Sequence, residues 1–192
     1  MTWSNRQRLT RVRSVKALAP ARIKWAIELM ELDKQHNVFE IGCGSGVAAQ
    51  HICAQLGRGS YYGVDQSPAA AKAALERNSG YARGGRAIFA NLKFDAQKHE
   101  PALFDRVLAV NVNTFWIDDG IAARDARRIM HKHSRLVLVY QPPAATQRAK
   151  IARALKRRLA PYFPHIAAKQ RTVAGAPLLA VVAALEAPEN GA

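Results

Sequence analysis

The chain is poor in cysteine, poor in acid and without long apolar runs. Its 192 residues hold two cysteines, Cys43 and Cys53, too few for a disulfide framework, so a reducing, cytoplasmic setting is expected. No apolar run approaches the roughly 18 residues of a membrane span, and no membrane partner is expected. Only 14 Asp and Glu stand against 29 Lys and Arg, a net charge of +15. Residues 1–24 contain Arg6, Arg8, Arg11, Arg13, Lys16, Arg22 and Lys24 and no acid. A second cluster runs Arg148, Lys150, Arg153, Lys156, Arg157, Arg158. Such a surface attracts polyanions and admits nucleic acid as a partner, although surplus arginine on solvated faces gives the same charge without one. An acid-free, Arg-rich start also resembles an organelle transit peptide; no small-residue cleavage site is evident, and Pro20 opens an amphipathic run that suits a helix of the domain itself.

What is present is enough for one α/β core. Apolar residues make up 49% of the chain, and its length suits a single domain, residues 20–192, behind a basic arm, residues 1–19. Helical and strand patterns alternate, as in a parallel sheet. Pro20 suits the first position of a helix with Ile23, Ile27 and Met30 on one face. Strands are expected at about 37–41, 60–64, 87–93, 106–110 and 136–140, with helices at about 46–57, 68–78, 119–132 and 145–160. Ser79 to Gly85 reads as a loop, and Ile151, Leu155 and Leu159 as the inward face of the last helix. Two closing runs joined at Gly175-Ala176-Pro177 predict an antiparallel hairpin.

The chemistry concentrates in Val38-Phe39-Glu40-Ile41-Gly42-Cys43-Gly44-Ser45-Gly46, an apolar run that breaks into three glycines at alternate positions. A second apolar run ends at Asp65, followed by Gln66. This reads as a buried parallel strand, a tight turn, a helix start and a second strand with a carboxylate at its carboxyl end. Glycine admits positive φ and close approach of a ligand to the backbone, and the distal acid sits where a nucleotide's ribose hydroxyls would lie. Further candidates at strand ends are Asp95 and Asn111, while Asp105, before the fourth strand, stands at the wrong end and reads as structural.

The spacing is Gly-x-Gly-x-Gly rather than the Gly-x-Gly-x-x-Gly of dinucleotide enzymes, and an acid lies two residues before the first glycine. The stretch resembles motif I of the class I S-adenosylmethionine (SAM)-dependent methyltransferases. That resemblance spans roughly residues 20–186 and implies a Rossmann-like, seven-stranded, mostly parallel sheet with a C-terminal antiparallel hairpin. It implies SAM as cofactor, held by Glu40, Gly42, Cys43, Gly44, Gly46, Asp65, Gln66, Asp95, Ala96 and Asn111. Within that set, Asp65 would take the ribose, Asp95 with the Ala96 backbone the adenine amine, Glu40 and the Asn111 carbonyl the ammonium, and the glycine-turn amides the carboxylate. No metal is implied.

The segment from Phe104 to Trp116 looks like the fourth motif of the methyltransferases that act on small molecules. Asn111-Val112-Asn113-Thr114 departs from the Asn/Asp/Ser-Pro-Pro-Tyr/Phe of base-amine methyltransferases. Cys43 and Cys53 lie far from the fourth strand, where cytosine-carbon enzymes place their nucleophile, and Asn111 stands where ribose methyltransferases want an acid. A small-molecule acceptor is therefore favoured, with Phe115, Trp116 and Tyr140 as candidate pocket walls. The alternatives are an RNA or protein methyltransferase that uses the basic surface, and a non-catalytic SAM-fold module that binds nucleic acid. No catalytic base is assignable. His131-Lys132-His133 is expected at a helix end remote from the cofactor, and His99 lies nearer the pocket.

Overall fold

A computed structural model describes residues 19–95 and 104–187, so Ala96, His99 and most of the basic arm lie outside the described residues. Among the described residues seven strands form one sheet: β1 Val38–Ile41, β2 Tyr61–Asp65, β3 Ala87–Asn91, β4 Phe104–Val110, β5 Met130–Tyr140, β6 His165–Val173 and β7 Ala176–Ala184. Their order is β3-β2-β1-β4-β5-β7-β6. The pairings among β1 to β5 are all parallel, and β7 runs antiparallel to both β5 and β6. The expected sheet and closing hairpin are what forms. Its turn is Ala174-Gly175, both at positive φ (48° and 78°), a two-residue hairpin whose twist matches the flanking strands.

Period-two alternation divides the core between the sheet's faces. On one side Phe39, Ile41, Val107, Leu136 and Leu138 pack against α5 Thr114–Ile117, α6 Ile121–Arg128 and α7 Gln147–Leu159. On the other, Val38, Tyr61, Leu108, Val137 and Val139 pack against α1 Ala21–Met30 and α2 Val47–Cys53. Two further helices, α3 Pro68–Arg77 and α4 Ser79–Arg83, flank β3. The α3 start follows its local sequence: Pro68 opens the first turn and the Ser67 hydroxyl accepts from the Ala70 N–H. Ile151, Leu155 and Leu159 are buried, as the spacing on α7 predicts.

Three local expectations change. Residues 79–83 form a short helix, not a loop, with Tyr81 packed on the α1/α2-side core. On α1 the buried face is Ile23, Trp25, Ala26, Leu29 and Met30, while Ile27 is half-buried; Pro20 caps the helix rather than opening it. The helix expected to 132 stops at Arg128, and His131-Lys132-His133 belongs to β5. There the β4–β5 register slips, with Phe104 opposite Met130 but Arg106 opposite Arg135. Ser134 closes this bulge by donating to the Phe104 carbonyl (2.6 Å) and accepting from the His131 N–H (2.9 Å).

Candidate active site

Parallel pairing of β2, β1 and β4 brings Asp65, the glycine turn and Asn111 to the same edge of the sheet. The chain order reverses beside β1, and open α/β sheets bind ligands at such points. Gly42, Gly44 and Gly46 all have positive φ, at 69°, 53° and 72°. The reasons for glycine differ. A Cβ on Gly42 would lie 2.7 Å from Val112, and one on Gly46 would meet Asn78 and Ala74 within 3.0 Å. At Gly44 no atom of the described residues lies within 4 Å of such a Cβ, so among them this glycine faces open space. Gly42 and Gly46 serve internal packing, whereas Gly44 leaves a cradle that a side chain would fill.

The turn is braced from both sides. Asp65, half-buried at the end of β2, accepts from the Gly44 N–H through Oδ2 (2.9 Å) and from the Ser67 N–H through Oδ1 (2.9 Å). Each carboxylate oxygen keeps a second lone pair for a ribose hydroxyl. From the end of α3, Arg77 Nε donates to the Ser45 carbonyl (2.8 Å) and buried Asn78 to the Gly46 carbonyl (3.0 Å). Neither residue was singled out from sequence, because their partners are main-chain groups 32 positions away.

Glu40 is fully buried in β1, and the hydroxyl of equally buried Tyr61 donates to its Oε2. Gly63, opposite Glu40 in the register, makes this contact possible, since a Cβ there would lie 2.7 Å from the Tyr61 hydroxyl. Burial pushes the Glu40 carboxyl up to about 8; the Tyr61 hydrogen bond opposes that rise and the Asp65 charge adds to it. Burial also pushes the Cys43 thiol up to about 12, which leaves it an unreactive packing group. The Tyr61–Gly63 pair was missed in sequence, where both residues read simply as part of an apolar strand.

Asn111 takes left-handed φ (58°); its N–H donates to Val139 and its Oδ1 accepts from the Gln141 N–H (2.9 Å), which leaves its main-chain carbonyl as an acceptor for a ligand. Gln66 is exposed beside Asp65, and Asp95 lies just beyond β3. The candidate walls separate. Phe115 is buried in the core, and Tyr140, 2% exposed, donates its hydroxyl to the Val112 carbonyl (2.7 Å), so both are loop anchors rather than pocket walls. Trp116 remains half-buried, its indole N–H on Asn113 Oδ1 (3.2 Å). His131 sits at the amino edge, with Nε2 2.9 Å from Asp105 Oδ1. An open cleft of about 890 Å³ also lies at that amino edge, among Glu31, Arg106, Arg135 and His165. It contains none of the glycine-turn residues, and its polar walls are largely paired with one another.

The sequence profile of a family described as "Methyltransferase domain" matches residues 39–137, more than half of the chain. The chain belongs to the class I SAM-dependent methyltransferase family. Solved structures agree on the fold. A SAM-dependent methyltransferase from Aquifex aeolicus superposes with TM-score 0.64 at 13% identity, over 84% of this chain and 88% of that one. A SAM-dependent O-methyltransferase from Thermotoga maritima gives 0.66 at 10%, over 90% and 68%. A geranyl diphosphate methyltransferase in complex with SAM gives 0.65 at 12%, over 86% and 85%. No curated protein matches the chain by sequence. Among the described residues no helix is long and apolar enough to cross a membrane. The methyltransferase's carboxyl edge fits SAM: an open glycine cradle, a carboxylate with spare lone pairs at the second strand end, and a buried acid behind the turn.

Proposed function

We propose that the chain binds SAM across the ends of β1, β2 and β4 and transfers its methyl group to an acceptor that enters beside Asn111 and Trp116. The observation that carries this reading is the cradle at Gly44, braced by Asp65 and open on its outer side. Asp65 takes the ribose hydroxyls, the glycine-turn amides the carboxylate, Glu40 and the Asn111 carbonyl the ammonium, and Asp95 with Ala96 the adenine. When bound, SAM supplies an electrophilic methyl on a sulfonium, so the protein's part is to align donor and acceptor in line. The first acceptor class is a small molecule, because the Asn111-Val112-Asn113-Thr114 segment lacks the residues of three nucleic-acid methylation chemistries. A second class, a group carried on RNA or protein, is favoured by the burial of Phe115 and Tyr140, which removes two of three candidate aromatic walls.

Calorimetry with SAM and S-adenosylhomocysteine tests the first half; absence of affinity for either sinks the enzyme reading. Tritiated-methyl transfer into a metabolite pool, total RNA and stripped protein separates the acceptor classes. Label in the metabolite pool that disappears with Asp65→Ala supports the first; label in RNA or protein with the same dependence replaces it with the second.

A further inference from the structure

We infer that the outer face of α7 is a docking surface for the phosphodiester backbone of nucleic acid, a partner that goes beyond the methyl-transfer reading and does not depend on it. The helix carries six basic residues and no acid over Gln147–Leu159. Its apolar side is committed: Ile151, Leu155 and Leu159 are buried against the sheet. Lys150, Arg153 and Arg157 fall on the opposite side, with Lys156 beside them, and all four are exposed. At 1.5 Å per residue the three aligned cations follow one another every ~4.5–6 Å along the helix, a single row of positive charge. None of the four joins a salt bridge among the described residues.

The opposite layer shows what an ordinary basic surface looks like in this protein. There Arg135 pairs with Glu31, Arg171 with Glu28 and Lys72 with Glu76. Charge on that side is interspersed by sign; on α7 it is of one sign, with no salt bridge to its four outer cations among the described residues. Membrane helices of this composition insert an apolar face between lipids, and α7 has spent its own on the core. A polyanion read through its backbone needs only the row of cations. The row also has a direction. Helix α7 starts after β5 leaves the carboxyl edge, with Arg148 bonded to the Arg171 carbonyl (3.4 Å) near the end of β6, and it packs along α5, which carries Trp116. A bound strand would therefore run toward the rim of the methyl-transfer site.

The test is fluorescence anisotropy of labelled polyuridylate with the full chain, across about 50–200 mM salt. Lys150→Gln, Arg153→Gln and Arg157→Gln are combined in one variant. A control of equal charge loss on the other layer combines Arg58→Gln, Lys72→Gln and Arg83→Gln, all exposed. Loss of three phosphate contacts flattens the log–log salt dependence by about 2 in the α7 variant and weakens binding at least ~10-fold at intermediate salt. The control stays within about threefold of the unmodified chain. Equal weakening by both triples overturns the proposal, since charge alone would then matter, not the row. No RNA binding by the unmodified chain at physiological salt overturns it too, as does binding to phosphatidylserine vesicles that RNA does not displace. SAM affinity, measured in parallel, is expected to be equal in all three proteins. If SAM fails to bind while RNA binding maps to α7, the methyltransferase reading falls and this surface stands.

Discussion

At the amino edge of the sheet, charged side chains meet oppositely charged, imidazole or main-chain partners. Asp105 holds His131 and the Asn37 N–H, Arg106 caps the Met30 and Glu31 carbonyls, Arg135 pairs with Glu31, and His133 with Glu186. At the carboxyl edge, Glu40 and Asp65 are held by a phenol and by main-chain amides instead of cations. The contrast separates carboxyl groups paired with basic side chains within the fold from carboxyl groups that pair with no cation among the described residues. A carboxyl group fixed by neutral donors keeps its geometry and spare lone pairs for an incoming ligand, and Glu40, held protonated by burial, takes an ammonium once it gives that proton up. That is the physical meaning of preorganisation at this edge.

The sharpest way to break the contrast is at Gly44. Gly44→Val fills the open cradle and forces a β-branched residue to positive φ; SAM binding by calorimetry is expected to disappear. Gly46→Ala, by contrast, collides with Ala74 and Asn78, and should lower the melting temperature as well. A Gly44→Val chain that still binds SAM would mean the cradle is not the cofactor's seat.

Asp65→Ala comes next. It removes charge-assisted hydrogen bonds to the ribose and should weaken SAM binding by about 1.5–3 kcal/mol, or roughly 10- to 150-fold. Because Asp65 also anchors the Gly44 and Ser67 amides, Asp65→Asn is expected to recover part of the loss. Equal affinity in the original and the alanine variant would remove Asp65 from the site.

Glu40 makes the comparison titratable. Its folded pKa, about 8, lies above the unfolded carboxylate value, near 4.3, so the folded chain holds a proton that the unfolded chain releases. Stability therefore falls as pH rises between those two values and levels off above about pH 8. Holding an ammonium needs the ionised form, so SAM binding below that pH should release a proton and tighten as pH approaches it. Calorimetry in buffers of different ionisation enthalpy reads the release, and Glu40→Gln should abolish it. Binding with no proton release would move the ammonium to other groups.

The smallest effect belongs to the amino edge. Burial alone would raise Asp105, but the Asn37 N–H and His131 outweigh it, and its carboxyl sits below the ordinary value. A lowered acid adds stability above its unfolded pKa and loses it as pH falls through the folded one. Asp105→Ala should therefore cost stability, about 1–2 kcal/mol by denaturant melting at neutral pH, and leave SAM affinity unchanged. A matching loss of SAM affinity would show that the two edges are coupled.

Sequence periodicity and short-range chemistry determined much of this protein. Alternating patterns named the strands, Ser67-Pro68 started α3, and Gly42, Gly44 and Gly46 marked the turn, because each depends on neighbours a few residues away. Charge spacing likewise lays out the cations of α7, because helical periodicity alone sets the side on which each one falls. What only the tertiary structure decided rests on pairings across the chain. The Tyr61 hydroxyl reaches Glu40 because β2 lies beside β1 and Gly63 leaves the space. Phe115 and Tyr140 turned inward because the β4–α5 loop folds back over β5, which residue type alone leaves open. The His131 bulge replaced a helix end because Ser134 closes it on a carbonyl 30 residues away. Local sequence sets which conformations are cheap; burial across the sheet chooses among them, since desolvation of a phenol or a carboxylate outweighs the fractions of a kilocalorie that separate local propensities.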